Sequence, residues 1–245
     1  MPAMAPMSAN VVIRPPEPIG FTDREGRRLW LDFATETVVN LRLGAPAARR
    51  IARAVVNGRT GAPLAAAEFA RLADEDHLQI DLETIDAAHA ALKETGAPPM
   101  LILPLSFNSL SGRRSLRDIA ERLGSQVKGR LMIELLDIDR GTPLSRLTEV
   151  AGVASGLARG VLVRLAPGRD AALPVKGYRP HGVTVEASAL GETDTEVAAT
   201  LLAFAEQVKG AAPTVMVFGL AHDGFFAVGE VAGITHASTI PAPRE

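Results

Sequence analysis

MLILPLSFNSL, residues 100–110, and LMIELLD, residues 131–137, are two short apolar runs separated by a charged amphipathic stretch. Each run changes to polar residues at its C-terminal end. A parallel β/α unit shows this pattern when its strand ends carry a functional site. We therefore predict two buried parallel strands here, joined by a helix that starts near Ser115 and stops at Gly124.

The same alternation of strand and helix continues on both sides of this stretch. Strands are predicted at residues 51–56, 160–165, 182–186, 214–220 and 234–240, and residues 29–43 are predicted as a strand or a hairpin. Helices are predicted at residues 64–73, 80–96, 143–158, 193–210 and 224–231. Thr193 can cap the fourth of these, with Glu196 at the position that a capping box requires. The chain has no repeat of fixed period and no linker that would divide it. At 245 residues it has the length of one α/β domain, and we predict a single TIM-like (β/α) barrel.

The first twenty residues differ in composition from the rest. They are rich in Pro, Ala and Met, and Pro15, Pro16 and Pro18 lie close together. Such a segment is typical of an extended arm. We therefore divide the chain into a flexible arm, residues 1–20, and a barrel domain, residues 21–245.

Composition excludes several classes of function. The net charge of −2 provides no field that would attract nucleic acid or an anionic membrane. Cysteine is absent, which rules out disulfides, thiolate metal sites and cysteine nucleophiles. No apolar run approaches the ~20 residues that span a bilayer, and the N-terminus has no signal-peptide pattern. We expect a cytoplasmic protein without nucleic-acid or membrane partners.

Four segments, taken in order, resemble the EAL domain, the bacterial barrel that hydrolyses cyclic di-GMP. PLAAAEFARLADEDHLQIDLETIDAAHAAL is similar to that family's "P-x-x-F-I-x-x-A-E" run followed by "L-I-x-x-L-D". LILPLSFNSL is similar to "N-L-S-x-x-x-L", and LMIELLD to "L-x-x-E-L-T-E". VMVFGLAHDGFFAVGEVAGITHASTIPAP resembles the closing stretch with "A-E-G-V-E", "L-G" and "Q-G-Y". The resemblance covers residues 29–243 and implies an EAL-type barrel.

In that family, carboxylates and an Asn at the strand ends hold two divalent cations that act on the phosphodiester. The resemblance places Arg53 at the Glu of the eponymous motif, Asn57 at the substrate-binding Arg, and Pro104 at the Asn ligand. Glu134 retains a Glu ligand, and Asp137 stands where the second Glu of that strand would be. The family site is therefore only partly preserved in the first half of the barrel.

The second half departs further from the family pattern. Arg164 and Leu165 replace the paired Asp ligands, Thr184 replaces the catalytic Lys, and Glu186 replaces the Asp two residues on. Phe218 and Ala221 replace the two Glu residues of "A-E-G-V-E", and Ser238 replaces the Gln near the end.

Exchanging an anionic ligand for Arg turns attraction for a divalent ion into repulsion. One unit-charge pair at ~4 Å is worth about 4 kcal/mol at an effective dielectric constant of ~20, and a doubly charged ion doubles it. The resemblance therefore implies a degenerate domain that holds no metal, needs no cofactor and hydrolyses no cyclic di-GMP. Since an unpaired carboxylate among apolar residues is costly, we expect Glu134 to pair with Arg53 or Arg164.

Three functions follow from these positions. The first is a catalytically inactive regulator or adaptor in bacterial signalling that binds a protein. The sequence does not decide whether the chain forms a homodimer. The second is a receptor that binds cyclic di-GMP without cleaving it, although the exchange at Asn57 leads us not to expect cyclic di-GMP as a partner. The third is an enzyme with a rebuilt site around Glu134, Asp137, Glu186 and His222, for which the sequence shows no assembled constellation.

Overall fold

A computed structural model describes residues 18–93, 100–139, 141–168, 170–172 and 175–240. The predicted N-terminal arm lies outside these residues as far as residue 17. Its end was assigned wrongly, because Ile19 and Gly20 belong to a strand, β1 (Ile19–Thr22), that pairs antiparallel with the next strand. No helix in the described ranges is both long enough and apolar enough to cross a membrane.

Eight strands close into a barrel, with β1 attached outside it. They are β2 (Arg28–Asn40), β3 (Ala45–Asn57), β4 (Leu101–Ser106), β5 (Leu131–Leu136), β6 (Gly160–Arg164), β7 (Gly182–Glu186), β8 (Val215–Leu220) and β9 (His236–Thr239). Strand β2 runs antiparallel to both of its barrel neighbours, β3 and β9, and closes the ring. All pairs from β3 to β9 are parallel. The predicted α/β barrel is confirmed in this architecture.

Helices cover the outside of the barrel. They are α1 (Ala66–Phe69), α2 (Asp74–Lys93), α3 (Phe107–Ser111), α4 (Arg113–Leu123), α5 (Leu144–Leu157), α6 (Asp194–Gln207) and α7 (Phe225–Ala232). The first predicted helix is much shorter than residues 64–73, and α2 begins at Asp74, with the Asp76 carboxylate accepting the Ala73 N–H at 3.1 Å. Two helices instead of one follow β4, because Gly112 is extended between α3 and α4.

The alternation of side chains along each strand gives the barrel two apolar clusters. The large outer cluster packs the strands against the helices and includes Ile51, Leu103 and Ile133. A small inner cluster lies within the barrel and consists of Val38, Ala48, Ile102, Leu162, Met216 and Phe218. Because successive residues of a strand face opposite sides, the polar residues that share a face with the inner cluster also point into the barrel.

The start of α6 shows a complete capping box, as the sequence predicted. The Thr193 hydroxyl accepts the Glu196 N–H at 3.3 Å, and the Glu196 carboxylate accepts the Thr193 N–H at 3.1 Å. These contacts satisfy two of the donors that a helix N-terminus leaves unpaired.

Replacing the cap should weaken the fold by a modest amount. We expect Thr193→Ala to lower the free energy of unfolding by about 1 kcal/mol, the usual loss for an N-cap hydroxyl. Thr195→Ala, an exposed site in the same helix without a capping contact, is the matched control. Urea denaturation measures both, and equal midpoints for the two variants would contradict the capping role.

Candidate functional site

Five charged side chains from five strands meet at the carboxyl end of the parallel strands. We call them the mouth cluster, and they are Glu36 of β2, Arg50 of β3, Glu134 of β5, Arg164 of β6 and Glu186 of β7. Polar and aromatic side chains of the last three strands complete the surroundings, namely Thr184, Phe218 and Ser238.

Arg50 is the centre of the mouth cluster. Its guanidinium donates to Glu134 at 3.2 Å, to Glu36 at 3.1 Å and to Glu186 at 2.8 Å. It also lies over the Phe218 ring, 4.5 Å from the centroid. Burial alone lowers the pKa of Arg50, but the three carboxylates, led by Glu134, raise that pKa above its ordinary value. Arg50 is therefore a permanent cation held by three anions.

Glu134 is fully buried and accepts hydrogen bonds from three side chains. Arg164 donates from Nε and Nη2, each at 3.0 Å, which is the paired geometry that suits a guanidinium and a carboxylate. The Thr184 hydroxyl donates at 2.6 Å. Burial raises the pKa of Glu134, but Arg164 and Arg50 outweigh it and lower that pKa to about 2. Glu134 is therefore ionised at neutral pH.

Glu36 has a weaker set of partners. It lies opposite Arg50 in the antiparallel β2–β3 ladder and accepts the Ser238 hydroxyl at 2.6 Å. Burial raises its pKa above the ordinary value; Arg50 opposes that shift and the nearby Glu186 adds to it. Glycine is required at position 219, next to Glu36 and Glu186. Its φ is +72°, and a Cβ there would lie 3.0 Å from the Glu186 carboxylate.

The predicted pair of Glu134 with Arg164 is present, but the pair with Arg53 is wrong. Arg53 projects to the outer side of β3 and contacts Asp81 and Thr84 of α2, and also Ser106. Arg50 takes its place beside Glu134. The two positions differ by three residues, and an odd shift along a strand moves a side chain to the opposite face.

Several further positions assigned by the resemblance have no contact with the mouth cluster. Asn57 ends β3 and accepts the N–H groups of Arg59 and Thr60 in an exposed turn. Leu165 is buried in the outer cluster, and Ala221 is exposed after β8. Asn57 at a strand end, Leu165 in the outer cluster and Ala221 just after a strand are therefore separate from the mouth cluster.

Pro104 lies within the barrel wall, where β4 aligns it with Glu134 of β5. Strand β4 pairs with β3 only at Leu101 and Ile102, so Pro104 has an unpaired side on which a residue without an N–H is tolerated.

The third function considered from sequence required Asp137 and His222 to join Glu134 and Glu186. Asp137 follows β5 in a left-handed conformation with φ +56°, and its carboxylate is 3.4 Å from the Ser106 hydroxyl. His222 contacts Asp194 at 3.2 Å and stacks on Phe225. Neither side chain contacts Glu134 or Glu186, so the structure does not assemble that site.

Sequence reasoning missed Glu36 and Arg50. Alternation along the strands could have found both, since Glu36 shares a face with buried Val38, and Arg50 shares one with buried Ala48. Arg53 shares its face with Ile51 and Val55 of the outer cluster, which points it towards the helices.

Structural comparison identifies the architecture. Klebsiella pneumoniae BlrP1, solved with manganese and cyclic di-GMP, superposes with a TM-score of 0.59 at 16% identity and covers 86% of this chain. The Xanthomonas citri FimX EAL domain, in complex with cyclic di-GMP, gives 0.61 at 15% identity over 85% of each chain. The fold is that of the EAL domain proteins.

A third EAL structure, Vibrio cholerae LapD with its S helix, GGDEF and EAL parts, gives a TM-score of 0.63 at 13% identity over 86% of this chain. This chain spans 54% of the BlrP1 chain and 53% of the LapD chain, about half of each. No protein-family model and no curated protein sequence matches it. The likeness to EAL proteins is therefore one of fold.

These EAL structures correct one expectation. We did not expect cyclic di-GMP as a partner, because Asn57 replaces a substrate-binding Arg and the resemblance implies that purine- and phosphate-contacting positions are lost as well. The BlrP1, LapD and FimX structures all hold cyclic di-GMP, and this finding overturns the expectation. The loss of these contacts was an insufficient reason, because a ligand of this size is held by many groups and binding needs fewer of them than catalysis.

The divalent cations that the EAL fold implies do not fit the mouth cluster. A divalent ion needs several free oxygen ligands, mostly anionic. Here the carboxylates of Glu36, Glu134 and Glu186 surround the Arg50 guanidinium, and Arg164 takes both oxygens of Glu134. Within the described ranges, no group of three or more His, Cys, Asp or Glu side chains is arranged to hold a metal.

Proposed function

We propose that this chain is a catalytically inactive EAL-type domain that acts by binding, as a regulator or adaptor in bacterial signalling. The observation that carries the proposal is the Arg50 guanidinium, buried between three carboxylates that would otherwise be free to bind a cation. Unlike a bound ion, the Arg50 side chain is covalently part of the protein and cannot diffuse away from the three carboxylates. A metal ion could bind there only if the Arg50 guanidinium moved out of the mouth cluster.

Electrostatics supports the same proposal. Two guanidinium groups, those of Arg50 and Arg164, lie within about 3 Å of Glu134. Each repels a divalent cation at this position by several kcal/mol, even at the effective dielectric constant of about 20 that describes protein sites. An arginine guanidinium keeps its positive charge in proteins. The site is therefore suited to structural stability and not to metal-assisted hydrolysis.

The hydrolysis experiment tests this directly. Purified chain incubated with cyclic di-GMP and Mg²⁺ or Mn²⁺ should yield no linear dinucleotide above the level without protein, as measured by chromatography. Glu134→Gln is the matched control for a contaminating hydrolase, because it removes the central carboxylate of the mouth cluster. Product that increases with protein concentration and disappears in Glu134→Gln would refute the proposal.

A second candidate function is a receptor that binds cyclic di-GMP without cleaving it. The presence of this ligand in three EAL structures favours it. Arg164 retains one-quarter of its side-chain surface at the mouth and offers a guanidinium to a phosphodiester. Calorimetry with a chelator present should then show binding that Arg164→Gln weakens. No heat of binding would leave a protein partner as the proposed ligand.

A further inference from the structure

A cleft of about 640 Å³ lies outside the barrel, between the β6–β7 connection and the end of α6. A second cleft, of about 500 Å³, shares Arg179 and Gly210 with it and reaches His181 and Pro213, just before β7 and β8 begin. Because β7 and β8 begin at the end of the barrel opposite the mouth cluster, this cleft is a separate site. The β6–β7 connection forms no α-helix in its described residues, and this leaves the outer layer open here.

The charged side chains of the larger cleft are mainly cationic. Lys176, Arg179 and Lys209 line it, together with one carboxylate, that of Asp170. Lys176 and Arg179 form no ion pair within the described part of the chain. Lys209 lies 3.4 Å from Glu206, but both side chains are largely exposed, and such pairs contribute little. The lining therefore attracts an anion.

Tyr178 adds a planar surface beside these cations. Its ring is half-buried against the outer cluster, and burial raises the pKa of its hydroxyl. No described residue hydrogen-bonds that hydroxyl. The preceding Gly177 has φ +91°, and a Cβ there would lie 3.2 Å from Leu144, so the turn that presents Lys176 and Tyr178 depends on glycine. An aromatic ring next to cationic donors can stack a planar group whose phosphate the donors bind.

We propose that this cleft binds a small phosphorylated organic molecule of about mononucleotide size. The Arg179 guanidinium and the Lys176 ammonium bind the phosphate, for which a guanidinium has the matching fork of donors. The Tyr178 ring packs against the planar part of the ligand. The volume of the larger cleft lies within the roughly 300–1,000 Å³ that small-molecule sites occupy.

A titration of the full chain monitored by amide NMR tests the proposal, with 5′-AMP and inorganic phosphate as probes. We expect 5′-AMP to shift the amides of residues 175–181 and 206–212, and to bind more tightly than inorganic phosphate. Arg179→Glu should weaken 5′-AMP by at least about ten-fold, as expected for a charge-assisted contact turned into repulsion. Arg114→Glu, the same change at an exposed position of α4 outside the cleft, should leave the affinity within about two-fold.

Three results would overturn the proposal. One is no shift of the cleft amides at millimolar 5′-AMP. The second is an equal loss of affinity in Arg179→Glu and Arg114→Glu, because that indicates non-specific attraction by net charge. The third is equal affinity for 5′-AMP and inorganic phosphate, because the Tyr178 ring then contributes nothing. Lys176→Glu is a second cleft variant, should Arg179→Glu prove misfolded by circular dichroism.

Discussion

Arg50→Met should lower the free energy of unfolding by about 3–5 kcal/mol, the usual cost of removing one partner from a buried ion pair. Methionine keeps an unbranched apolar side chain but carries no charge, so it leaves Glu36, Glu134 and Glu186 close together without their central cation. Three carboxylates without a counter-charge repel one another, and two of them, Glu36 and Glu134, are almost completely buried. Because native domains are stable by only about 5–15 kcal/mol, this is a large fraction of the total.

Chemical denaturation at neutral pH measures this loss. Arg42→Met, an exposed arginine in the β2–β3 turn, is the matched control and should be close to neutral. Arg50→Lys should lie between the wild type and Arg50→Met, because an ammonium keeps the charge but cannot donate in the forked geometry. If Arg50→Met is too unstable to purify, Arg50→Lys alone still tests the role of the fork. A midpoint of Arg50→Met equal to that of the wild type would show that the cluster does not depend on Arg50.

Glu134→Gln has the second large expected effect, again about 3–5 kcal/mol. The amide is nearly isosteric with the carboxylate but neutral, so Arg50 loses one of its three anions and Arg164 loses its paired acceptor. A glutamine amide also places a donor next to guanidinium donors. Glu121→Gln, at an exposed position of α4, is the control. An unchanged denaturation midpoint in Glu134→Gln would mean that the buried pair contributes nothing.

The pH dependence of stability follows from the same carboxylate. Glu134 has a folded-state pKa of about 2, below its ordinary value of 4.5. Its contribution is therefore fully present above pH ~4.5 and is lost as the pH falls towards 2; it amounts to about 3 kcal/mol at 1.36 kcal/mol per pKa unit. Glu36 acts in the opposite direction, because burial raises its pKa and its protonation on acidification favours the folded state. The measurement is the free energy of unfolding as a function of pH in the wild type and in Glu134→Gln. Its decrease between pH ~4.5 and pH ~2 should be smaller in Glu134→Gln, because that variant has no carboxylate at this position to protonate.

The fold could be predicted from sequence because apolar periodicity and turn residues act locally. GVTVE was predicted as a strand at residues 182–186, and the structure has β7 at Gly182–Glu186. Thr193 and Glu196 predicted the start of α6 for the same reason, since a capping box depends on four consecutive residues. The strand β1 was missed because its pairing with β2 depends on contacts that no local pattern records.

The candidate site was harder to predict because it depends on register. Glu134, Arg164, Thr184 and Glu186 were predicted as site positions at strand ends, and the structure brings their side chains into contact. Each of them lies in a short strand whose ends are fixed by its turn residues. Strand β3 is 13 residues long and carries Arg49, Arg50 and Arg53, so motif matching alone could not choose among them. A three-residue error selected Arg53 and thereby the wrong face of the strand.

We propose that the Arg50 and Arg164 guanidinium groups neutralise the mouth carboxylates and thereby prevent a divalent cation from binding there. Titration of the wild-type chain with Mn²⁺, followed by the electron paramagnetic resonance signal of the free aqueous ion, tests it most directly. We predict that the free-ion signal is the same with and without protein, because Glu36, Glu134 and Glu186 are already bound by Arg50 and Arg164. A stoichiometric loss of the signal that Glu134→Gln abolishes would place a metal in the mouth cluster and refute this proposal.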